Sequence, residues 1–327
     1  MMKKKISLVI HPGFGRCGTT FLQKKIFAKS NYINLGKPRK LNDELIKLQY
    51  KVFIPKYSFD KIYPMNLSKA VRDYSEKLRS EIDKSGKTNF ILSDENISDK
   101  VNYFGYFNFF LLSEIIKKLT ESYDLKLKFI ITIRSQWEII SSGWCADYRL
   151  RLNFITFQNY LKLLKSDLNL NEIYNYEIYL KNLKELFKPE ILLLPLEELI
   201  HNKKNYLEKI ENFLETSIKF EDLDPIKVNS FKDKNIKKYF ILKPDIRQIL
   251  IKPISSIHNF LNKNSSIYQK NFYKFKSIKK YYEPNLIRRG TFQISKDQQL
   301  EIKKIYENSN KSLEKLFKLN LKQYDYF

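Results

Sequence analysis

ISLVIHPGFGRCGTT, residues 6–20, is the stretch of sequence that decides the fold. A short apolar run, Ile6 to Ile10, leads into a glycine-rich loop and then into a helix. Gly13 and Gly18 have the spacing of the loop G-x-x-x-x-G-K-[ST], but the lysine that reaches the β- and γ-phosphates of a nucleoside triphosphate is absent. The loop therefore predicts backbone N–H groups that bind a phosphate of a nucleotide other than ATP or GTP. We call residues 13–20 the phosphate loop.

The rest of the chain alternates between apolar strand patterns and helical periodicity. The predicted strands span 6–10, 90–92, 127–133 and 191–194, and the predicted helices span 68–84, 157–164, 176–186 and 207–214. Ser68 is the predicted N-cap of the first of these helices. Continuous apolar strands are typical of a parallel sheet that helices cover on both faces. The prediction is an α/β fold with a central parallel sheet flanked by helices, P-loop nucleotide-kinase-like, in a single domain over residues 1–327.

The carboxyl ends of the predicted strands define a candidate site. Ligands of open α/β sheets bind beyond these ends, so the phosphate loop, the turn SDEN after 90–92, and Arg134 after 127–133 should meet in one crevice. Glu95 in that turn is the candidate general base. Asp94 is its rival, and capping of the following helix is the structural alternative for either carboxylate.

Three motifs resemble the sulfotransferases that use 3′-phosphoadenosine 5′-phosphosulfate (PAPS). Residues 16–21, RCGTTF, are similar to that family's 5′-phosphosulfate loop, whose core is Lys-x-Gly-Thr-Thr, but Arg16 stands in place of the lysine. Arg134 with Ser142 eight residues later resembles the pair that holds the 3′-phosphate, and its Arg-x-Gln form is similar to bacterial members. Residues 288–290, RRG, resemble the Arg-Lys-Gly segment that closes over that phosphate.

The resemblance implies transfer of a sulfuryl group from PAPS, without a metal, to a hydroxyl or amine of a glycan, glycolipid or related acceptor. Arg16 would stabilise charge on the transferring group, and Glu95 would accept the proton. The implied catalytic residues are Arg16 and Glu95, and the implied cofactor-binding residues are Gly15, Arg16, Cys17, Gly18, Thr19, Thr20, Phe21, Arg134, Ser142, Arg288, Arg289 and Gly290.

Each motif also has a structural interpretation. The loop can be a plain strand-to-helix turn, and Arg134 can pair with Glu138 one helical turn later. The cations at 288–289 can be ordinary surface residues. Phe21 can stack on adenine or pack in the core. His11 can contact the substrate or make only a backbone bond at the end of its strand.

Charge and cysteine usage limit the partners. Lys and Arg number 60 against 36 Asp and Glu, a formal net charge of +24, which favours anionic partners. With two cysteines the sequence has neither a disulfide framework nor a metal-binding C-x-x-C, and no stretch is long enough for a membrane span. We expect a cytoplasmic protein, and the charge also fits peripheral contact with the anionic inner face of a membrane.

Two other function classes remain open. One is a small-molecule kinase with a degenerate phosphate loop, and the other is a nucleotide-binding protein without turnover. Nucleic-acid binding has only the net charge in its favour, because the sequence contains no recognisable DNA- or RNA-binding module. Residues 227–281 are rich in basic and aromatic side chains, and we predict a basic, mostly helical insertion that contributes contacts to the acceptor.

Overall fold

A sheet of five parallel strands lies at the centre of the fold. The structure is a computed structural model that describes residues 3–35, 59–93, 105–147, 156–166, 171–172, 174–218, 236–242 and 287–327. Strands β1 to β5 span Lys4–His11, Ile33–Asn34, Asn89–Ser93, Tyr123–Ile133 and Glu190–Pro195. They lie in the order β2-β3-β1-β4-β5, and every neighbouring pair is parallel. The predicted α/β class with a central parallel sheet is therefore confirmed.

Helices connect these strands and follow them to the end of the chain. Helices α1 to α9 span Thr19–Phe21, Phe59–Ser85, Gly105–Ser122, Gln136–Asp147, Phe157–Ser166, Tyr176–Phe187, Leu196–His201, Lys203–Leu214 and Lys296–Phe317. Helix α1 continues as a π-helical turn, Leu22–Ile26, and a 3-10 turn, Phe27–Lys29. The side chains of Asn175, Asn202 and Ser295 cap α6, α8 and α9 by accepting a backbone N–H of the first turn.

Both faces of the sheet are covered by apolar packing. Because side chains alternate along a strand, Leu8 and Ile10 of β1 face one core while Val9 faces the other. Helices α2 to α6 and α9 contribute to the first core. The turns after α1, together with α7 and α8, contribute to the second. No helix within the described ranges is both long and apolar enough to cross a membrane.

The strand order places a crevice between the carboxyl ends of β1 and β4. The chain leaves β1 towards β2 and β3 on one side of the sheet, whereas it leaves β4 towards β5 on the other. Connections that diverge in this way leave an opening beyond the strand ends, and this opening is where open α/β sheets bind ligands. The phosphate loop follows β1 and Arg134 follows β4, so the topology places both at this opening.

One local prediction is wrong, and the described residues test another only in part. Ser68 is not an N-cap, because α2 begins at Phe59 and continues through that position. In the segment 227–281, predicted to be mostly helical, the seven described residues form a strand, β6 (Ile236–Leu242), and the prediction for the rest of the segment lies outside the described residues. Strand β6 pairs antiparallel with β7 (Ile287–Gln293) in a separate two-stranded sheet.

Candidate functional site

The phosphate loop turns through two residues with left-handed backbone. Arg16 has a φ of 71° and Gly18 a φ of 80°. Cys17 between them is fully buried, and its N–H donates to the carbonyl of Phe14 at 3.2 Å. A positive φ is uncommon outside glycine, and such residues cluster at ligand-binding turns. The geometry buries Cys17 and leaves Gly15 and Arg16 exposed to solvent.

Two glycines are required because the loop packs closely on its neighbours. A Cβ atom at Gly13 would lie 1.9 Å from Cγ2 of Thr19, whose side chain is buried. A Cβ atom at Gly18 would lie 2.7 Å from Cδ1 of Leu196, at the junction of β5 and α7. The spacing of these glycines therefore reflects one close contact within the loop and one with the start of α7.

Several backbone donors of the loop remain available. Phe21 and Leu22 donate to the Gly18 carbonyl at 2.9 and 3.3 Å. Within the described part of the chain, the N–H groups of Gly15, Arg16, Gly18 and Thr20 donate to no protein acceptor. Successive backbone N–H groups in such turns form anion-binding concavities. The predicted contact from the Cys17 N–H is the exception, because that donor is used within the loop.

Arg134 extends from the end of β4 to this loop. One of its Nη1 protons is donated to the carbonyl oxygen of Arg16 at 3.4 Å. Its Nε and Nη2 donate to the carboxylate of Glu138, whose side chain is 7% exposed. The ion pair considered from sequence is thus present, and the same guanidinium also contacts the phosphate loop. Burial opposes charging of Arg134, but neighbouring anionic groups, Glu138 foremost, raise its pKa above the ordinary value.

The structure places the other predicted residues on several elements, and two of them lie outside the described residues. Ser142 is half-buried on α4, and the described contacts join it neither to Arg134 nor to the phosphate loop. Residues 288–290 lie in β7, opposite residues 239–241 of β6. Phe21 is partly buried against the second core. Glu95 and Asp94 follow β3 and lie outside the described residues, so their roles stay predictions.

Strand β7 nevertheless packs against α4, the helix that contains Ser142. Phe292 in β7 packs its ring against Trp144 of α4 at 4.9 Å between centroids, and against Phe157 of α5 at 4.8 Å. The small sheet therefore lies beside α4. The side chains of Arg288 and Arg289 are not described, and closure over a 3′-phosphate stays a prediction.

His11 is held at the end of β1 as a neutral side chain. Its Nδ1 lies 2.8 Å from the hydroxyl of Ser93 at the end of β3, and that hydroxyl accepts a bond from Nε2 of Gln23 at 3.0 Å. Complete burial lowers the pKa of His11 to about 3. The imidazole therefore links the ends of β1 and β3, and as a neutral group it provides no positive charge to attract a phosphate. The expected backbone bond is replaced by this side-chain contact.

Sequence reasoning missed a buried carboxylate behind the loop. Glu197, in the first turn of α7 directly after β5, accepts the N–H of Ser135 at 3.0 Å through Oε1 and the hydroxyl of Tyr326 at 3.0 Å through Oε2. Burial raises the pKa of Glu197 to about 7. The signal in the sequence is PLEEL, residues 195–199, which directly follows a buried apolar strand. A carboxylate at the end of such a strand is buried and needs hydrogen-bond partners.

The site offers hydrogen-bond donors that suit an anion. Among the described residues, no group of three or more His, Cys, Asp or Glu side chains could hold a metal ion. The arrangement of exposed loop N–H groups, Arg16 and Arg134 suits a phosphorylated ligand at the crevice between β1 and β4. The fold and this site together define an α/β protein with a phosphate loop that lacks the triphosphate lysine.

The comparisons with known proteins give structural likeness only. No protein-family model matches the sequence, and no curated protein is significantly similar to it. The chain is similar to the crystal structure of a sulfotransferase from Alicyclobacillus acidocaldarius, with a TM-score of 0.40 and 12% identity over 77% of this chain and 92% of that one. It is also similar to the sulfotransferase domain from the Synechococcus PCC 7002 olefin synthase, with a TM-score of 0.39 and 14% identity over 67% of this chain and 76% of that one.

Proposed function

We propose that this protein is a PAPS-dependent sulfotransferase whose acceptor is a hydroxyl or amine of a glycan, glycolipid or related molecule. The observation that carries the proposal is the contact between the Arg134 guanidinium and the carbonyl of Arg16. It brings a cation from the end of β4 to a phosphate loop without the triphosphate lysine. A nucleotide with separate phosphates on its 3′ and 5′ oxygens suits two such anion-binding positions better than a linear triphosphate does.

The residues present fit this donor. PAPS supplies a sulfuryl group whose S–O bond to the 5′-phosphate breaks as the bond to the acceptor forms. The loop N–H groups and the start of α1 would hold the 5′-phosphate, where the helix dipole also favours an anion. Arg16, exposed and next to these donors, would stabilise negative charge on the bridging oxygen. The proton of the acceptor would pass to a carboxylate, for which Glu95 is the candidate.

Binding measurements test the nucleotide part of the proposal. Titration calorimetry should show tight binding of adenosine 3′,5′-bisphosphate and weak binding of ATP. Arg134→Ala should weaken bisphosphate binding by about tenfold to a hundredfold, the effect of one charge-assisted contact of about 1.5–3 kcal/mol. Arg79→Ala is the matched control, because Arg79 is exposed and contacts Ser122 just before β4, at the end of that strand opposite to Arg134. Equal affinity for ATP and the bisphosphate would contradict the proposal and favour the kinase.

Transfer measurements test the chemistry and the acceptor. Radiolabelled sulfate should move from PAPS to a member of a panel of glycan and glycolipid acceptors. Bisphosphate binding with no transfer to any hydroxyl or amine would favour a nucleotide-binding protein without turnover. Sedimentation with anionic vesicles addresses the proposed peripheral contact with a membrane, for which the net charge of +24 is the support.

A further inference from the structure

The segment Arg134-Ser135-Gln136 is held by polar contacts at each of its residues. Tyr176 donates its hydroxyl to the carbonyl of Arg134 at 2.7 Å and accepts the N–H of Arg134 at 3.4 Å. The N–H of Ser135 donates to Glu197. The side-chain amide of Gln136 donates to the carbonyl of Tyr174 at 3.4 Å. The backbone from which the Arg134 side chain starts is therefore fixed by several separate elements.

Two of these contacts lead to the last residues of the chain. Gln136 and Asn310 of α9 exchange hydrogen bonds between their side-chain amides at 2.8 and 2.9 Å. Asn310 also donates to the carbonyl of Tyr326 at 3.2 Å. The hydroxyl of Tyr326 donates to Glu197, which closes the ring of contacts at Ser135. The tail residue Tyr326 thus supports the segment on both sides, through Glu197 and through Asn310.

The residues that make these contacts are buried, so the loss of any one hydrogen bond is costly. Gln136, Asn310 and Tyr326 are each no more than 1% exposed, and Glu197 is 6% exposed. A buried polar group without a partner is costly, so removing one member leaves the next unsatisfied and favours a shift of the segment. A shift at Ser135 changes the direction of the neighbouring guanidinium. Binding of a phosphate through two N–H donors depends strongly on that direction.

We propose that Tyr326 and Glu197 are positioning residues that hold Arg134 in the orientation needed to recognise a 3′-phosphate. The inference rests on the proposed function and extends it, because it makes the end of the chain a determinant of nucleotide selectivity. Neither residue needs to touch the ligand. Their effect acts through the backbone of residues 134–136.

The test compares two nucleotides that differ only in the 3′-phosphate. Affinities of the full chain for adenosine 3′,5′-bisphosphate and adenosine 5′-monophosphate give the selectivity ratio. Tyr326→Phe and Glu197→Gln should each lower this ratio by about tenfold, mainly through weaker bisphosphate binding. Tyr324→Phe is the matched control, since its ring stacks on His201 and it lies two residues away from Tyr326. The control should keep the wild-type ratio.

A second measurement does not depend on ligand. Hydrogen exchange of the unliganded protein should be faster over residues 133–140 in Tyr326→Phe than in wild type or Tyr324→Phe, with the core strands unchanged. A Tyr326→Phe variant that keeps both the selectivity ratio and the slow exchange overturns the inference alone. A wild type with no preference for the bisphosphate removes the proposed function and the inference together.

Discussion

Replacing Gly18 by alanine tests whether the phosphate loop depends on its two constraints at that position. The backbone of Gly18 is left-handed, with a φ of 80°, and a Cβ atom there would lie 2.7 Å from Cδ1 of Leu196. A left-handed conformation costs a residue with a side chain about 1–2 kcal/mol. Extra atoms in a packed region cost about 1–3 kcal/mol. Gly18→Ala should therefore destabilise the protein by about 2–5 kcal/mol, a large part of the typical stability of a domain.

Two other glycines separate these effects. Gly86 also has a positive φ, 64°, but nothing lies within 4 Å of a Cβ atom there. Gly86→Ala should therefore cost only the backbone strain, about 1–2 kcal/mol. Gly15 lies in the same loop as Gly18 without a positive φ and with open space around a Cβ atom. Gly15→Ala should leave stability almost unchanged.

Urea unfolding measures the three variants on one scale. The sequence contains two tryptophans, Trp137 and Trp144, and both are buried on α4 next to the site, so fluorescence reports on this region. The expected order of destabilisation is Gly18→Ala, then Gly86→Ala, then Gly15→Ala. If Gly18→Ala cost no more than Gly86→Ala, the contact with Leu196 would not constrain the loop. The steric explanation of the glycine spacing would then be refuted.

Glu197→Gln should change the pH dependence of stability. The carboxyl has a pKa of about 7 in the folded protein against 4.5 as its reference, so between these pH values the unfolded chain loses a proton that the folded protein keeps. Wild-type stability therefore falls as the pH rises through this window. Relative to wild type, the free energy of unfolding of the uncharged variant, measured with urea, should rise by up to about 3 kcal/mol between pH 4.5 and 7.5. A difference between the two proteins that stays constant over this range would refute the raised pKa of Glu197. Arg16→Ala should lower the sulfate-transfer rate far more than bisphosphate affinity, because the contact strengthens in the transition state, while Arg16→Lys should keep activity. Glu95→Gln should reduce transfer by about 10²–10⁴ and leave bisphosphate binding intact, while Asp94→Asn should be mild; the reverse pattern would exchange the two roles.

The parallel sheet could be predicted because its buried strands are continuous apolar runs. The predicted strand 127–133 is the carboxyl half of β4, and the structure extends it back to Tyr123. The added residues, YDLK, alternate apolar and polar side chains, which is the period of a half-buried strand, and their pairing with β1 completes the strand. Strand β2 has two residues, too few for any periodicity. Its pairing with β3 is a tertiary effect.

The candidate site was predictable where a motif is local in sequence. The phosphate loop and Arg134 meet because both follow strands that are neighbours in the sheet. Glu197 and Tyr326 could not be connected to Arg134 in this way, because their contacts span 62 and 129 residues of sequence. Such contacts depend on how α7 and the tail after α9 pack against the turn that follows β4. No spacing rule encodes that packing.

The two interpretations of Arg134 offered by the sequence are compatible in the structure. Glu138 accepts Nε and one proton of Nη2, and the carbonyl of Arg16 accepts one proton of Nη1. A guanidinium has more N–H donors than these contacts use, and one on each of Nη1 and Nη2 remains. A phosphate oxygen can accept from that pair while Glu138 keeps the plane of the guanidinium fixed, which lowers the entropy lost on binding. The Glu138 carboxylate also offsets part of the positive charge of Arg134. The ion pair therefore weakens the attraction of the guanidinium for an anion while it fixes the direction of its N–H donors. The presence of the Glu138 pair is therefore a reason to expect a directed anion site at Arg134, and it is no argument against one.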